Sequence, residues 1–248
     1  VYAFDVERGP PGWGHEERQT MSEKMDQDDD LGAIRELIGE GESHQAWRDL
    51  CAMLEQWEDE DDLETRVLPI VDEMLTGWGD TLRSAPSYWV DPLLDGEHVP
   101  HFKVVRTLDL RRKHLVLEDA ELLAESPELQ NIHRLNLAYN GLQDEGTRAL
   151  VRSEMIANVR WMDLAGNSVG LMGLKCICES AHLSNLEHLD MTGNWVDDDG
   201  AVLIAETDKL PALRRLILRG NPIHPEGAEA LVASPYLHES IKDKWRDF

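Results

Sequence analysis

A step of 27 residues runs through residues 105–237 of this chain. Apolar side chains recur at Val105, Ile132, Val159, Leu186 and Leu213. They recur again at Leu108, Leu135, Met162, Leu189 and Leu216, and at Leu110, Leu137, Leu164, Met191 and Leu218. Two further columns are Leu115, Leu142, Val169, Val196 and Ile223, and Leu129, Ile156, Leu183, Leu210 and Leu237. All 25 of these sites are apolar in a chain that is 42% apolar, a coincidence of roughly one in 10⁹. Asn140, Asn167, Asn194 and Asn221 keep the same step, with Lys113 in that place in the first copy. So do Gly146, Gly173, Gly200 and Gly227, and the hydroxyls of Ser126, Ser153, Ser180, Thr207 and Ser234. A period this strict describes one small unit, stacked so that each copy buries its apolar side on the next.

The spacing within one copy predicts its parts. The alternation Leu135-Asn136-Leu137 is that of a short strand with every second side chain inward. Strands starting near 107, 134, 161, 188 and 215 would then lie parallel, about 4.8 Å apart. The inward Asn of each copy has donors and an acceptor for turn backbone that would otherwise be buried unpaired. Residues Gly146 to Ser153 show helical spacing, which predicts a helix returning over the other side. The motif apolar-x-x-apolar-x-apolar-x-x-Asn-x-apolar resembles ribonuclease-inhibitor-like leucine-rich repeats, which pair one strand with one helix. That resemblance implies an α/β solenoid, a horseshoe arc, over residues 105–237. It says much about fold and little about function.

Terminal copies expose their apolar sides and need caps. Residues 238–248 supply Ile241, Trp245 and Phe248 for one end, and 79–104 read as a degenerate capping repeat at the other, with Phe102 in the Leu129 column. Residues 1–30 contain Gly9-Pro10-Pro11-Gly12 and a run of Asp, with few large apolar residues, which predicts disorder. Residues 31–78 predict three helices. Their faces are Leu31, Ile34, Leu37 and Ile38; then Trp47, Leu50, Cys51, Leu54 and Trp57; then Val67, Val71, Met74, Leu75 and Trp78. The acidic run Glu58 to Asp62 reads as a loop, and Pro69 as lying near the start of the third helix. An acidic helical segment ahead of repeats resembles bacterial multi-repeat proteins with an N-terminal helical companion segment, a likeness that supplies no activity.

The net charge is −25. Residues 1–100 hold 26 acids and 7 bases, the rest 23 acids and 17 bases, a step that suggests a boundary near residue 100. Such acidity argues against nucleic acid and anionic membrane partners, which need clustered Lys and Arg. It serves solubility or favours a basic protein partner. No run is apolar enough to span a membrane, and Val1 to Thr20 does not read as a secretory signal. Three cysteines are too few for a disulfide framework, which points to a reducing, cytoplasmic setting.

Phosphate-binding, zinc-protease and nucleophile-elbow motifs are all absent from the sequence, so no enzyme, cofactor or metal is expected. Cys176 and Cys178 align with small residues of other copies and read as core cysteines. The outward strand positions carry the more specific information. One column is Thr107, Arg134, Trp161, His188 and Arg215, and the next is Asp109, Asn136, Asp163, Asp190 and Ile217. Stacked carboxylates repel, so they favour a cationic ligand or Arg neighbours. Trp161 is expected to be exposed, either as an anchor for a partner or packed on Arg stems. Asp163, Asp190 and His188 as a metal set is the weaker alternative, since scattered polar columns are common. The expected partner-binding residues are therefore Arg134, Asn136, Tyr139, Trp161, Asp163, His188, Asp190 and Arg215. These point to a non-catalytic protein-interaction module. Because similar repeats occur in GTPase-activating modules, an enzyme activator is one alternative, and an inhibitor of a basic protein is another.

Overall fold

The computed structural model describes residues 31–246. The expectation of disorder for residues 1–30 and the role given to Phe248 lie outside the described residues. The chain divides into two compact units that part between Trp78 and Gly79. The charge step near residue 100 therefore falls inside the second unit. Among the described residues, no helix is long and apolar enough to cross a membrane.

The first unit is helical. Helix α1 covers residues 31–39, and α2 covers His44–Glu55. Ser43 caps α2, its hydroxyl accepting the Ala46 N–H at 3.0 Å, which satisfies one of the free donors of a helix start. Trp47, Leu50, Cys51 and Leu54 are buried along one face. Only Glu58 and Asp59 of the acidic run lie in the loop, and Glu60 to Asp62 are helical. Asp59 accepts the Asp62 N–H at 3.0 Å and starts a helical run: α3 (Glu60–Asp62), a π turn (Leu63–Val67) and α4 (Leu68–Met74). Carboxylates suit this position because the helix N-terminus carries partial positive charge. Pro69 lies in the first turn of α4, which continues the run begun at Glu60. Its ring would crowd the carbonyl four residues back in a regular helix, and the wider π turn before it removes that clash.

In the second unit five strands form one parallel sheet in chain order: β1 (Thr107–Asp109), β2 (Arg134–Asn136), β3 (Trp161–Asp163), β4 (His188–Asp190) and β5 (Arg215–Ile217). The register keeps the 27-residue step, pairing Arg134 with Trp161 and Trp161 with His188. Each strand is followed by a helix. These are α6 (Leu117–Glu125), α7 (Gln143–Val151), α8 (Leu171–Glu179), α9 (Asp198–Glu206) and α10 (Pro225–Ala233). Helix α7 begins before Gly146, and Ser153 stands outside it. The Ser153 hydroxyl instead donates to the Ala124 carbonyl of the preceding repeat, as Ser180 does to Val151, Thr207 to Cys178 and Ser234 to Ala205. All 25 repeat-frame apolar residues are buried, the most exposed being Ile223 at 8%.

The ladder continues ahead of β1. The Arg83 carbonyl accepts the N–H groups of Arg106 and Thr107, as that of Arg106 accepts those of His133 and Arg134. Helix α5 (Ser87–Leu94) follows, and Phe102 is buried. Past α10 the Ser240 hydroxyl, in α11 (Glu239–Lys242), donates to the Arg214 carbonyl at 2.7 Å. That bond satisfies an acceptor which a sixth strand would have used. Ile241 is buried beside it.

Candidate binding face

The asparagine ladder fixes where each strand ends. Asn194 donates from Nδ2 to the carbonyls of Leu164 and Met191, both at 2.9 Å, and its Oδ1 accepts from the N–H of Asn167 and of Val169. Asn140 and Asn221 bind the turn of the preceding repeat in the same way. Asn167 departs from the pattern. Its Nδ2 donates to Leu137 and Leu164, but its buried Oδ1 has no partner. The Leu142 N–H that should reach it belongs to a turn whose second left-handed residue, after Tyr139, is Gln143 (φ +53). In the first and third copies the second left-handed residues, after Arg112 and Gly166, are His114 and Ser168, two positions earlier in the frame. The Gln143 N–H then goes to the Asn167 carbonyl at 3.0 Å.

With the strands fixed, the outward side chains fall into columns. Arg134, Trp161, His188 and Arg215 stand on successive strands in direct register. The Arg134 guanidinium carbon lies 4.4 Å from the Trp161 ring centre, and the Trp161 and His188 rings stack at 5.2 Å. Trp161 is therefore half-buried between two neighbours rather than exposed. Its large faces attract a cation on one side and a flat ring on the other. Burial, Arg215 and Arg134 push His188 down to about 4, against the opposing pull of Asp190.

The carboxylate column has a local role that the sequence reading did not assign. Asp109, Asn136, Asp163 and Asp190 each accept, through Oδ1, the N–H two residues on: Arg111, Ala138, Ala165 and Thr192. Each closes its own strand end as an Asx turn. The signal was available, since an Asp or Asn at the last strand position is what such a turn requires. Burial and the repulsion of Asp190 and Asp109 still raise the Asp163 carboxyl above its ordinary range. Asp163, Asp190 and His188 do not converge as a metal set. Among the described residues, no group of three or more His, Cys, Asp or Glu has that arrangement.

Tyr139 lies beyond the two columns, on the turn after β2, with φ +58. Its ring covers Gly166, where an added Cβ would come within 2.6 Å of it, and Arg112 lies 5.2 Å from its centre. Tyr139 is 51% exposed. The structure thus brings seven of the eight expected residues onto adjacent columns and leaves Tyr139 at the margin. One residue outside that set is Trp195, 65% exposed in the turn after Asn194. Cys178 is buried and its thiol pushed up to about 12 by burial and by Glu179, so it stays protonated.

Residues 128–151, 182–205 and 209–232 match the family model described as Leucine Rich repeat. With the parallel sheet and its returning helices, the second unit is a leucine-rich-repeat array. Solenoids of this class present an extended sheet face and serve in general as protein-interaction modules. No curated protein matches the chain. An internalin from Listeria monocytogenes of known structure is similar at 15% identity, over 53% of this chain and 47% of that one, with a TM-score of 0.27. The chain spans about half the length of that internalin, and a likeness so loose adds nothing to the argument.

Proposed function

We propose that this chain is a non-catalytic protein-binding module whose partner docks on the sheet face of the repeats. The observation that carries the reading is the open row of outward side chains across five strands in register, with Arg134, Trp161, His188 and Arg215 in one column and Asn136, Asp163 and Asp190 beside it. Strands 4.8 Å apart put three of these side chains within about 10 Å, so a single partner segment touches several at once. One strand paired with one helix per copy supports the ribonuclease-inhibitor-like subtype. Three unpaired cysteines suit a cytoplasmic setting.

The overall acidity supports a basic surface on a partner that meets the helical unit at residues 31–78, where acids greatly outnumber bases. In that case association slows sharply as salt rises from about 0.05 to 0.5 M, since screening removes the steering field. A salt-independent on-rate would leave the charge to solubility. The test of the face itself compares Trp161→Ala with Arg160→Ala on a captured partner. The central variant should lose roughly 2 kcal/mol of binding and the flanking one less. Equal or absent losses would move the site elsewhere.

A further inference from the structure

In a chain with about twice as many acids as bases, Arg134, Arg160, Arg215 and Arg219 of the sheet face make no ion pair among the described residues, although the charge of Asp80 acts on Arg134 from a longer range. Arg134 is half-buried, and neither it nor the exposed Arg215 has a hydrogen-bond acceptor among the described residues. A guanidinium carries five donors in a fixed fork, so partial burial without an acceptor leaves most of that capacity unused. The same holds for Arg160 and Arg219, exposed on either side of the column. The adjacent carboxylates are in the opposite condition. Each already accepts an N–H from its own turn, and Asp109 also faces Arg111 at 3.4 Å.

We propose that the Arg134–Trp161–His188–Arg215 column docks an acidic peptide segment of a partner protein, a reading that rests on the sheet face being the binding surface. The Trp161 stack holds the Arg134 side chain in one place, so less freedom is lost when a carboxylate pairs with it. Arg134 and Arg215 are three strand steps apart, about 14 Å, and an extended peptide brings acids four residues apart over roughly the same span. Burial is the first cause of the depressed basicity of His188, and Arg215 and Arg134 add to it against the pull of Asp190, so both arginines bear on the centre of the column. Nucleic acid phosphates satisfy guanidinium forks too, and the oligodeoxynucleotide arm of the test separates that occupant from an acidic peptide.

The test titrates the full chain at low salt with fluorescein-labelled oligoglutamate, oligolysine and single-stranded oligodeoxynucleotide. Oligoglutamate should bind, and Arg134→Gln with Arg215→Gln should weaken it by about tenfold while leaving oligolysine unchanged. The Lys pair at the same positions should recover part of the loss, because charge is kept and the fork is not. If the double variant melts early, Arg215→Gln alone carries the test, with a loss of about threefold expected at an exposed site. No binding of oligoglutamate, binding that survives the double variant, or an oligodeoxynucleotide bound as tightly would overturn the proposal. A captured partner lost by the double variant while oligoglutamate does not bind would keep the module reading and remove the acidic occupant. A partner unaffected by it would remove both.

Discussion

Asn167 and Asn194 hold the same place in successive repeats and make different numbers of bonds. Asn194 satisfies backbone with both ends of its amide, whereas Asn167 uses only its donors. Asn194→Leu should therefore destabilise by about 2–3 kcal/mol and Asn167→Leu by about 1 kcal/mol less, read from denaturant midpoints. Equal losses would mean the orphaned Oδ1 is satisfied in solution. His188 gives a second contrast. Its folded pKa of about 4 lies below the free value of 6.5, so the unfolded chain takes up a proton first as pH falls. The stability this contributes is fully present above pH 6.5 and is lost on the way down to 4. His188→Gln should flatten the fall in melting midpoint between those values, and an unchanged slope would show that the ring is solvated normally. Trp161, stacked on Arg134, should lose about 1 kcal/mol of stability on replacement by Ala rather than none.

The repeat helices sit close enough that their glycines are needed for space. A Cβ on Gly173 would stand 2.7 Å from Asp144 Oδ1 and 2.8 Å from Val169, and one on Gly227 would meet Asp198 Oδ1 at 2.5 Å. Those carboxylates hold the start of the next helix, Asp144 through the Gly170 N–H and Asp198 through those of His224 and Gly227. Gly173→Ala should destabilise by about 1–3 kcal/mol. Gly32→Ala, in α1 with open space around it, should stabilise by about 0.5–1 kcal/mol. A thermal melt that ranks them the other way would contradict the packing. Elements of this kind were legible in unequal measure. The strands follow from the repeat to the residue, because in-and-out alternation within a fixed frame leaves one register. The start of α7 was not visible, since Gln143, Asp144 and Glu145 add no apolar period. The start at Asp59 was missed because acids resemble a loop in composition, although they suit a first turn electrostatically. Outward facing could be read from the columns. The Arg134–Trp161–His188 stack could not, because it depends on how three side chains settle against one another.

At the scale of the whole molecule, charge and apolar surface are divided between two units, and the binding claim concerns only the second. Its sheet face carries Arg134, Arg160, Arg215 and Arg219, none in an ion pair among the described residues, while on α8 Lys175 faces Glu179. The most direct measurement is the affinity of one captured partner for three proteins: the wild type, Arg134→Gln with Arg215→Gln, and Lys175→Gln, each with its melting midpoint. The sheet variant should bind about tenfold more weakly, near 1.4 kcal/mol, with its fold retained, and the helix variant should bind within about twofold of wild type. Loss on the helix side with an unaffected sheet variant would contradict the account.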